Sequence, residues 1–276
     1  MSMEGIGWRE AHELLLHGSM SARIGLMLVI GGAGASMGSF VAAAAYRLRS
    51  DSKLNIAWPP SMCEGCGRNI RWWENLPLVS YVVLRGRCSV CHQRIRVADY
   101  LCEVVGAITF PLLVVGLGPG MPLLRVLVSM PLFAIGSLVD LHEHRIPLEV
   151  TWTGIVLGLG LAALDARFLQ HLAAAIAIAL FLGGLDRVYS RLRRVETGIG
   201  GGDVRLAAAI GAFAGPAGVG PAVFVAAFVG ATVGLARMAL GHGNLQSKLP
   251  FGPFLAFGGL LVLIAGADVF RWLPIL

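Results

Sequence analysis

Charge is what this sequence has least of. Only 14% of its 276 residues are Asp, Glu, Lys or Arg, against about 25% in a soluble globular domain. With 56% hydrophobic residues gathered in long blocks, that scarcity excludes an ordinary water-soluble enzyme. Low-complexity linkers and a convincing internal repeat are also missing. No Gly-rich stretch is followed by Gly-Lys-Ser/Thr, so a phosphate-binding loop is excluded. Segment 1–20 has no basic n-region, since Glu4, Glu10 and Glu13 dilute it, and no small-residue cleavage site follows an apolar core. It reads as a short interfacial tail rather than a signal peptide.

What is present is a series of apolar blocks. Windows of about 20 residues predict an all-α, polytopic helical membrane protein with about eight transmembrane helices. The blocks lie near 24–45, 102–118, 121–139, 147–165, 168–186, 203–218, 221–241 and 251–270. The second and third are parted by the turn signal Gly118-Pro119-Gly120. Arg125 lies near the start of the third, from where it can snorkel to the interface.

The net charge of +6 is unevenly spread. One set of alternate loops holds 17 of the 22 Lys and Arg, from Arg47 through Arg96 to Arg145, the Arg187–Arg194 group, Arg205, Arg237 and Lys248. Basic residues collect in cytoplasmic loops, so this set is expected in the cytoplasm and both termini outside. The organisation expected is an outer tail (1–23), a first membrane helix (24–45), a cytoplasmic insert (46–101) and a membrane core (102–276).

Within the insert, Cys63-Glu64-Gly65-Cys66 and Cys88-Ser89-Val90-Cys91 form two CxxC pairs separated by 21 residues. Such pairs make knuckles whose four thiolates surround one zinc, and four protein ligands leave no open site for water, which is structural rather than catalytic coordination. The competing reading is a redox pair or two disulfides, which a cytoplasmic location disfavours. The fifth cysteine, Cys102, starts a span and reads as a small apolar residue. Trp72-Trp73 and the Arg85–Arg87 run fit an interfacial belt of aromatic and basic residues; nucleic-acid binding is the rival, and no nucleic acid is expected.

Acids near spans are costly and tend either to function or to sit where water reaches them. Asp165 and Asp268 lie at outer ends and read as interfacial, as does His171. Glu103, Asp140, Asp186 and Asp203 lie at cytoplasmic ends, where Asp186 can pair with the adjacent basic belt. Asp140 closes an apolar span just ahead of Ile146-Pro147. Asp203 follows Gly198-Ile199-Gly200-Gly201-Gly202 and opens another span. Two spans separate them, one crossing outward and one returning, so both acids end on the same face of the membrane. Two carboxylates so placed suit peptide hydrolysis: the ionised one takes a proton from water while the protonated one polarises the carbonyl. At close range they share one proton. Gly200 and Gly202 would leave room for a substrate backbone beside Asp203 and permit unusual backbone angles. A transporter with a cytoplasmic zinc module, or a non-enzymatic part of a secretion machine, stays open at this point, although a transporter would place its acids deeper in the spans.

Together these residues resemble the type IV prepilin peptidases, the GxGD aspartic proteases of the bacterial inner membrane. The likeness runs through Gly38-Ser39-Phe40, Tyr46-Arg47-Leu48, the double CxxC, Asn75-Leu76-Pro77, Ser80-Tyr81, Glu103, Asp140 with Ile146-Pro147, Gly200 to Leu206, and Pro250-Phe251-Gly252-Pro253-Phe254. The resemblance implies cytoplasmic removal of the leader of type IV prepilins or type II secretion pseudopilins, cut after a Gly and before a residue that is usually Phe. It maps the family's aspartates onto Asp140 and Asp203. Members with the cysteine-bearing insert commonly also N-methylate the new amino terminus with S-adenosylmethionine, so both activities are expected. Departures are His142 in the loop after Asp140, Leu148 after Pro147 where Asp or Asn is usual, and Arg205 where Lys is usual. None removes a catalytic group.

Overall fold

The computed structural model describes residues 17–49, 61–193, 199–241 and 249–266, together with Glu13. Expectations resting on Gly198, Asp268 and most of the N-terminal tail fall outside these residues. The described residues are almost wholly helical, and the chain divides by contact into two units meeting at Leu123 and Leu124.

The first unit holds helices α1 (Met20–Arg47), α2 (Val79–Val83) and α3 (Val97–Leu117), with a 3-10 turn at Trp72–Asn75. Two glycines let α1 and α3 touch backbone to backbone. A Cβ on Gly34 would lie 2.1 Å from the Gly106 carbonyl oxygen, and one on Gly38 2.1 Å from that of Cys102. Small residues four apart allow this approach where lipid supplies no hydrophobic drive between helices. Cys102 thus matters here for its backbone.

The second unit contains α4 (Met121–Glu143), α5 (Leu148–Leu164), α6 (Phe168–Arg193), α7 (Gly201–Ala239) and α8 (Gly252–Ala265). Among the described residues, five helices are long and apolar enough to cross a bilayer, and α5 and α8 are shorter apolar ones. The 39-residue α7 is two helices. It breaks at Gly215, which adopts φ 69°, just before Pro216. Adjacent residues of α8 touch both arms: Gly259 meets Ile210, and Gly258 meets the Ala222 carbonyl. Further down, Gly230 on the second arm meets Phe251 and Phe254 at the start of α8. The arms therefore run antiparallel, which brings the apolar helical segments among the described residues to eight. The sequence placed this turn a few residues later, between 218 and 221.

The break explains His171, whose expected interfacial position the structure corrects. His171 is 3% exposed, and its Nδ1 lies 2.8 Å from the Ala212 carbonyl oxygen. In a continuous helix that carbonyl would accept the N–H of residue 216, but Pro216 has none. The imidazole supplies the missing donor, so its Nδ1 carries the proton. Arg125 and Asp165, read separately as snorkelling and interfacial, pair with each other at 2.8 Å.

The core of this unit joins Phe133, Ile146, Leu206, Ile210, Phe213 and Leu255, with Phe133 and Phe213 edge to face at 5.9 Å. Outside it, Leu164, Leu169, Leu180 and Phe228 are each more than half exposed. Helices this apolar on their outer faces are solvated by lipid rather than water.

Candidate functional site

Asp140 and Asp203 lie at one end of the second unit, linked through Ile146, against which Gly202 and Gly252 both pack. Asp140 lies in the last turn of α4 and is 4% exposed. The helix ends just beyond it, where His144 turns to φ 53° and returns its N–H to the Asp140 carbonyl. The chain then passes Ile146 and restarts as α5 after Pro147. Asp203 sits in the first turn of α7, capped by Gly200.

Ile146 is the shared neighbour. A Cβ on Gly202 would lie 3.2 Å from the Ile146 Cβ, and one on Gly252 would lie 3.1 Å from its Cδ1. Gly252 donates its backbone N–H to Asp140 Oδ2 at 2.8 Å. That donor is among the unpaired N–H groups at the start of α8, which by nature favour an anion. Asp203 follows Gly202 directly, so Ile146 stands between the two acid-bearing turns.

Gly200 and Gly202 work by absence of bulk, not by special backbone angles. Gly200 has φ −60° and ψ 135°, open to any residue. A side chain there would begin 3.0 Å from Asp203 Oδ2. Asp186, read as a partner for the basic belt, accepts the Ile199 N–H at 2.8 Å and so ties down the chain just ahead of Gly200. Gly252 was visible in the sequence only as part of a Pro-Phe-Gly-Pro-Phe motif, and its contact with Asp140 spans 112 residues.

Gly252→Ala tests this packing. Its Cβ would lie 2.8 Å from Asp140 Oδ2, so the carboxylate must move although the N–H remains. If Asp140 performs chemistry, turnover falls roughly 100-fold, as misplacement by about 1 Å typically costs. Single-turnover rates of the purified variant at saturating substrate measure it; an unchanged rate separates Gly252 from the site.

The first unit carries a different cluster. The sulfur atoms of Cys63, Cys66, Cys88 and Cys91 all lie within 4.8 Å of one another, with Cys63 and Cys91 3.6 Å apart. A tetrahedral Zn–S distance of about 2.3 Å requires S···S separations of about 3.8 Å, so the quartet fits such an ion.

Each pair sits on a turn of the same build. The Cys63 N–H bonds the Arg68 carbonyl and the Gly67 N–H bonds the Cys63 carbonyl; Cys88 with Gln93, and His92 with Cys88, repeat the pattern. Gly67 has φ 68°, and its counterpart His92 is held at φ 56°. The two knuckles thus form a structural repeat that the sequence hides, because the Gly of one is a His in the other.

Between them stands Glu74. It receives the Ser89 hydroxyl at 2.6 Å, Arg68 at 2.7 Å and the Arg71 N–H at 3.1 Å. The Ser89 bond first, then the Arg71 N–H and Arg68, draw its carboxyl from the ordinary 4.5 down to about 2. A depressed carboxyl stabilises the fold above its ordinary range, and that contribution is lost as pH falls toward 2. The N–H groups of Cys91 and Val90, with Arg68, bring the Cys88 thiol down to about 5, while burial and the other three thiols push Cys91 up to about 11, as crowded thiols do when no cation neutralises them. Glu74→Ala should free Arg68 and Ser89 and weaken metal retention roughly 10- to 100-fold, the usual scale for outer-shell groups. Competition with a zinc-chelating dye measures it, and an unchanged affinity would show that the knuckles hold each other without Glu74.

Comparison with known proteins agrees with this two-part division. Residues 33–117 match the bacterial Peptidase A24 N-terminal domain, and residues 127–235 match the type IV leader peptidase family. A prepilin leader peptidase/N-methyltransferase of Burkholderia pseudomallei (strain 1026b) is 35% identical over 226 residues, covering 79% of this chain and 71% of that protein. Proteins of the same name from Pseudomonas putida and Pectobacterium carotovorum subsp. carotovorum are 32% and 33% identical. They align with 79% and 78% of this chain, and with 76% and 77% of their own lengths. No solved structure shows significant similarity. Identity at this level across most of both chains, with the carboxylate pair and the cysteine quartet in the matched regions, places the chain in the type IV leader peptidase family.

Proposed function

We propose that this chain is a membrane aspartic endopeptidase that removes the leader peptide of type IV prepilins or type II secretion pseudopilins, with Asp140 and Asp203 as its catalytic pair. The observation that carries the reading is the convergence of the two carboxylates around Ile146 and Gly252. The ionised member takes a proton from water, whose oxygen adds to the scissile carbonyl carbon. The protonated member donates to the carbonyl oxygen. Collapse of the tetrahedral intermediate breaks the C–N bond and the leaving amine takes up the proton. Gly200, where a side chain would begin 3.0 Å from Asp203 Oδ2, leaves room for the substrate backbone beside that carboxylate, while Gly202 lets Ile146 pack between the two acids.

The skewed basic residues support an inner-membrane orientation with this site facing the cytoplasm. In the same reading, 24–45 is the first membrane helix, 46–101 the cytoplasmic insert and 102–276 the peptidase core. The cysteine quartet holds a structural zinc. The names of the relatives pair the peptidase with an N-methyltransferase, and the insert serves that second activity here. S-adenosylmethionine supplies the methyl group: the new terminal amine displaces it from sulfur and loses a proton, leaving the neutral thioether.

The test is incubation of the purified chain with a prepilin segment, with and without S-adenosylmethionine, followed by mass spectrometry. Expected are a single cut after the leader's Gly, independent of the donor, and one added methyl on the new terminus when the donor is present. An uncut segment would defeat the peptidase reading; a cut but never methylated one would defeat the second activity alone.

A further inference from the structure

We propose that the cavity where α1 and α3 meet the cysteine module binds the sulfonium methyl donor, a cationic adenine nucleoside, with Glu103 as its counter-charge. The proposal rests on the methyl-transfer reading above and says where that cofactor sits. The cavity is an open cleft wholly within the first unit, of about 790 Å³, inside the range of roughly 300–1,000 Å³ for small-molecule sites.

Its walls combine flat aromatic faces with four acids and four arginines, Arg47, Arg68, Arg94 and Arg96. Tyr81 and Tyr100 both line it and stack on each other at 4.2 Å. Tyr46 lines it as well, with the Arg96 guanidinium 4.3 Å from its ring centre. A site that already holds one cation against an aromatic ring suits a sulfonium, and a planar adenine suits a stacked tyrosine face.

Four acids line the same cavity: Glu64, Glu74, Asp99 and Glu103. Three are already matched with arginine, Glu64 and Asp99 through Arg96 and Glu74 through Arg68. Among the described residues, Glu103 has no such partner and accepts only the Leu78 N–H, at 2.8 Å. Leu78 makes that bond from φ 64°, a conformation an L residue rarely adopts. A strained backbone thus aims its N–H at one carboxylate oxygen, fixing the side chain. A half-buried carboxylate held in place by a backbone N–H and without an ion-pair partner can meet a cationic ligand, while the cavity's arginines face the carboxylate that the same donor carries.

The charge gives a signature that a purely structural role would not. S-adenosylmethionine carries the sulfonium, whereas S-adenosylhomocysteine is the same molecule with a neutral thioether. Titration calorimetry of both against the full chain in nanodiscs compares wild type with Glu103→Gln. The Gln carbonyl still accepts the Leu78 N–H, and zinc content reports whether the module persists. Expected is a loss of about tenfold in affinity for S-adenosylmethionine and less than about twofold for the thioether. Tyr100→Leu should weaken both alike. Irradiation of wild type with methyl-tritiated donor should label residues lining this cavity, which keeps the proposal testable should either variant lose its zinc. Wild-type binding with an unchanged preference in Glu103→Gln, or a label elsewhere, would overturn the site and leave methyl transfer standing. A wild-type chain that binds neither molecule would overturn the methyl-transfer reading and this proposal with it.

Discussion

Asp140→Asn and Asp203→Asn should each reduce prepilin cleavage roughly 10⁴-fold or more, the scale on which removing a member of a cooperating catalytic set acts. Asn is nearly isosteric with Asp and cannot ionise or give up a carboxyl proton, so the shared-proton chemistry is lost while the packing stays. At position 140 the amide oxygen can still accept the Gly252 N–H that Asp140 now receives at 2.8 Å. Both variants should therefore reach the membrane at normal levels and melt near the wild-type temperature. Processing of a co-expressed prepilin, followed by gel mobility and mass, measures the loss. Near-normal processing by either variant would remove that residue from the dyad.

Removal of zinc should have the second largest effect, on the insert rather than on the dyad. Between residues 61 and 96 only Gly86 and Cys88 are buried, so no hydrophobic core holds the module. Structural zinc in small domains contributes roughly 10 kcal/mol or more of folding free energy. Cys63→Ser or Cys88→Ser should lower zinc from about one per chain toward none and make the 61–96 segment readily cut by added protease. Methylation of the processed product should fall at least as strongly as cleavage. Fully methylated product from a chain shown to lack zinc would contradict the assignment of the insert to methyl transfer.

The sequence exposes those features whose physics is local. Apolar blocks of bilayer length were legible because each backbone must satisfy its own hydrogen bonds in lipid. The four cysteines were legible because ligand spacing follows from knuckle geometry. The common end of Asp140 and Asp203 followed from counting crossings. What stayed hidden depends on distant contacts. The Gly252 N–H reaches Asp140 across 112 residues, and no local pattern announces it. His171 looked interfacial because the carbonyl it satisfies is orphaned by Pro216, 45 positions along the chain. Glu74 carried no signal as the staple between knuckles, because its partners Arg68 and Ser89 come from the two different CxxC turns. Room at Gly200 and Gly202 was legible, but not what fills it: a Cβ on Gly202 would crowd Ile146 and one on Gly200 the Asp203 carboxylate, and Gly200 needs no special backbone angle.

The central claim is that Asp140 and Asp203 act as one chemical unit, and a double-mutant cycle tests it most directly. Single-turnover cleavage of one prepilin segment would be measured for the wild type, Asp140→Asn, Asp203→Asn and the double variant, with zinc content and melting checked in each. Residues that share one proton and one water fail together, so the double variant should be no slower than the slower single one. Losses that multiply in the double variant, as they would for two independent sites, would contradict the dyad.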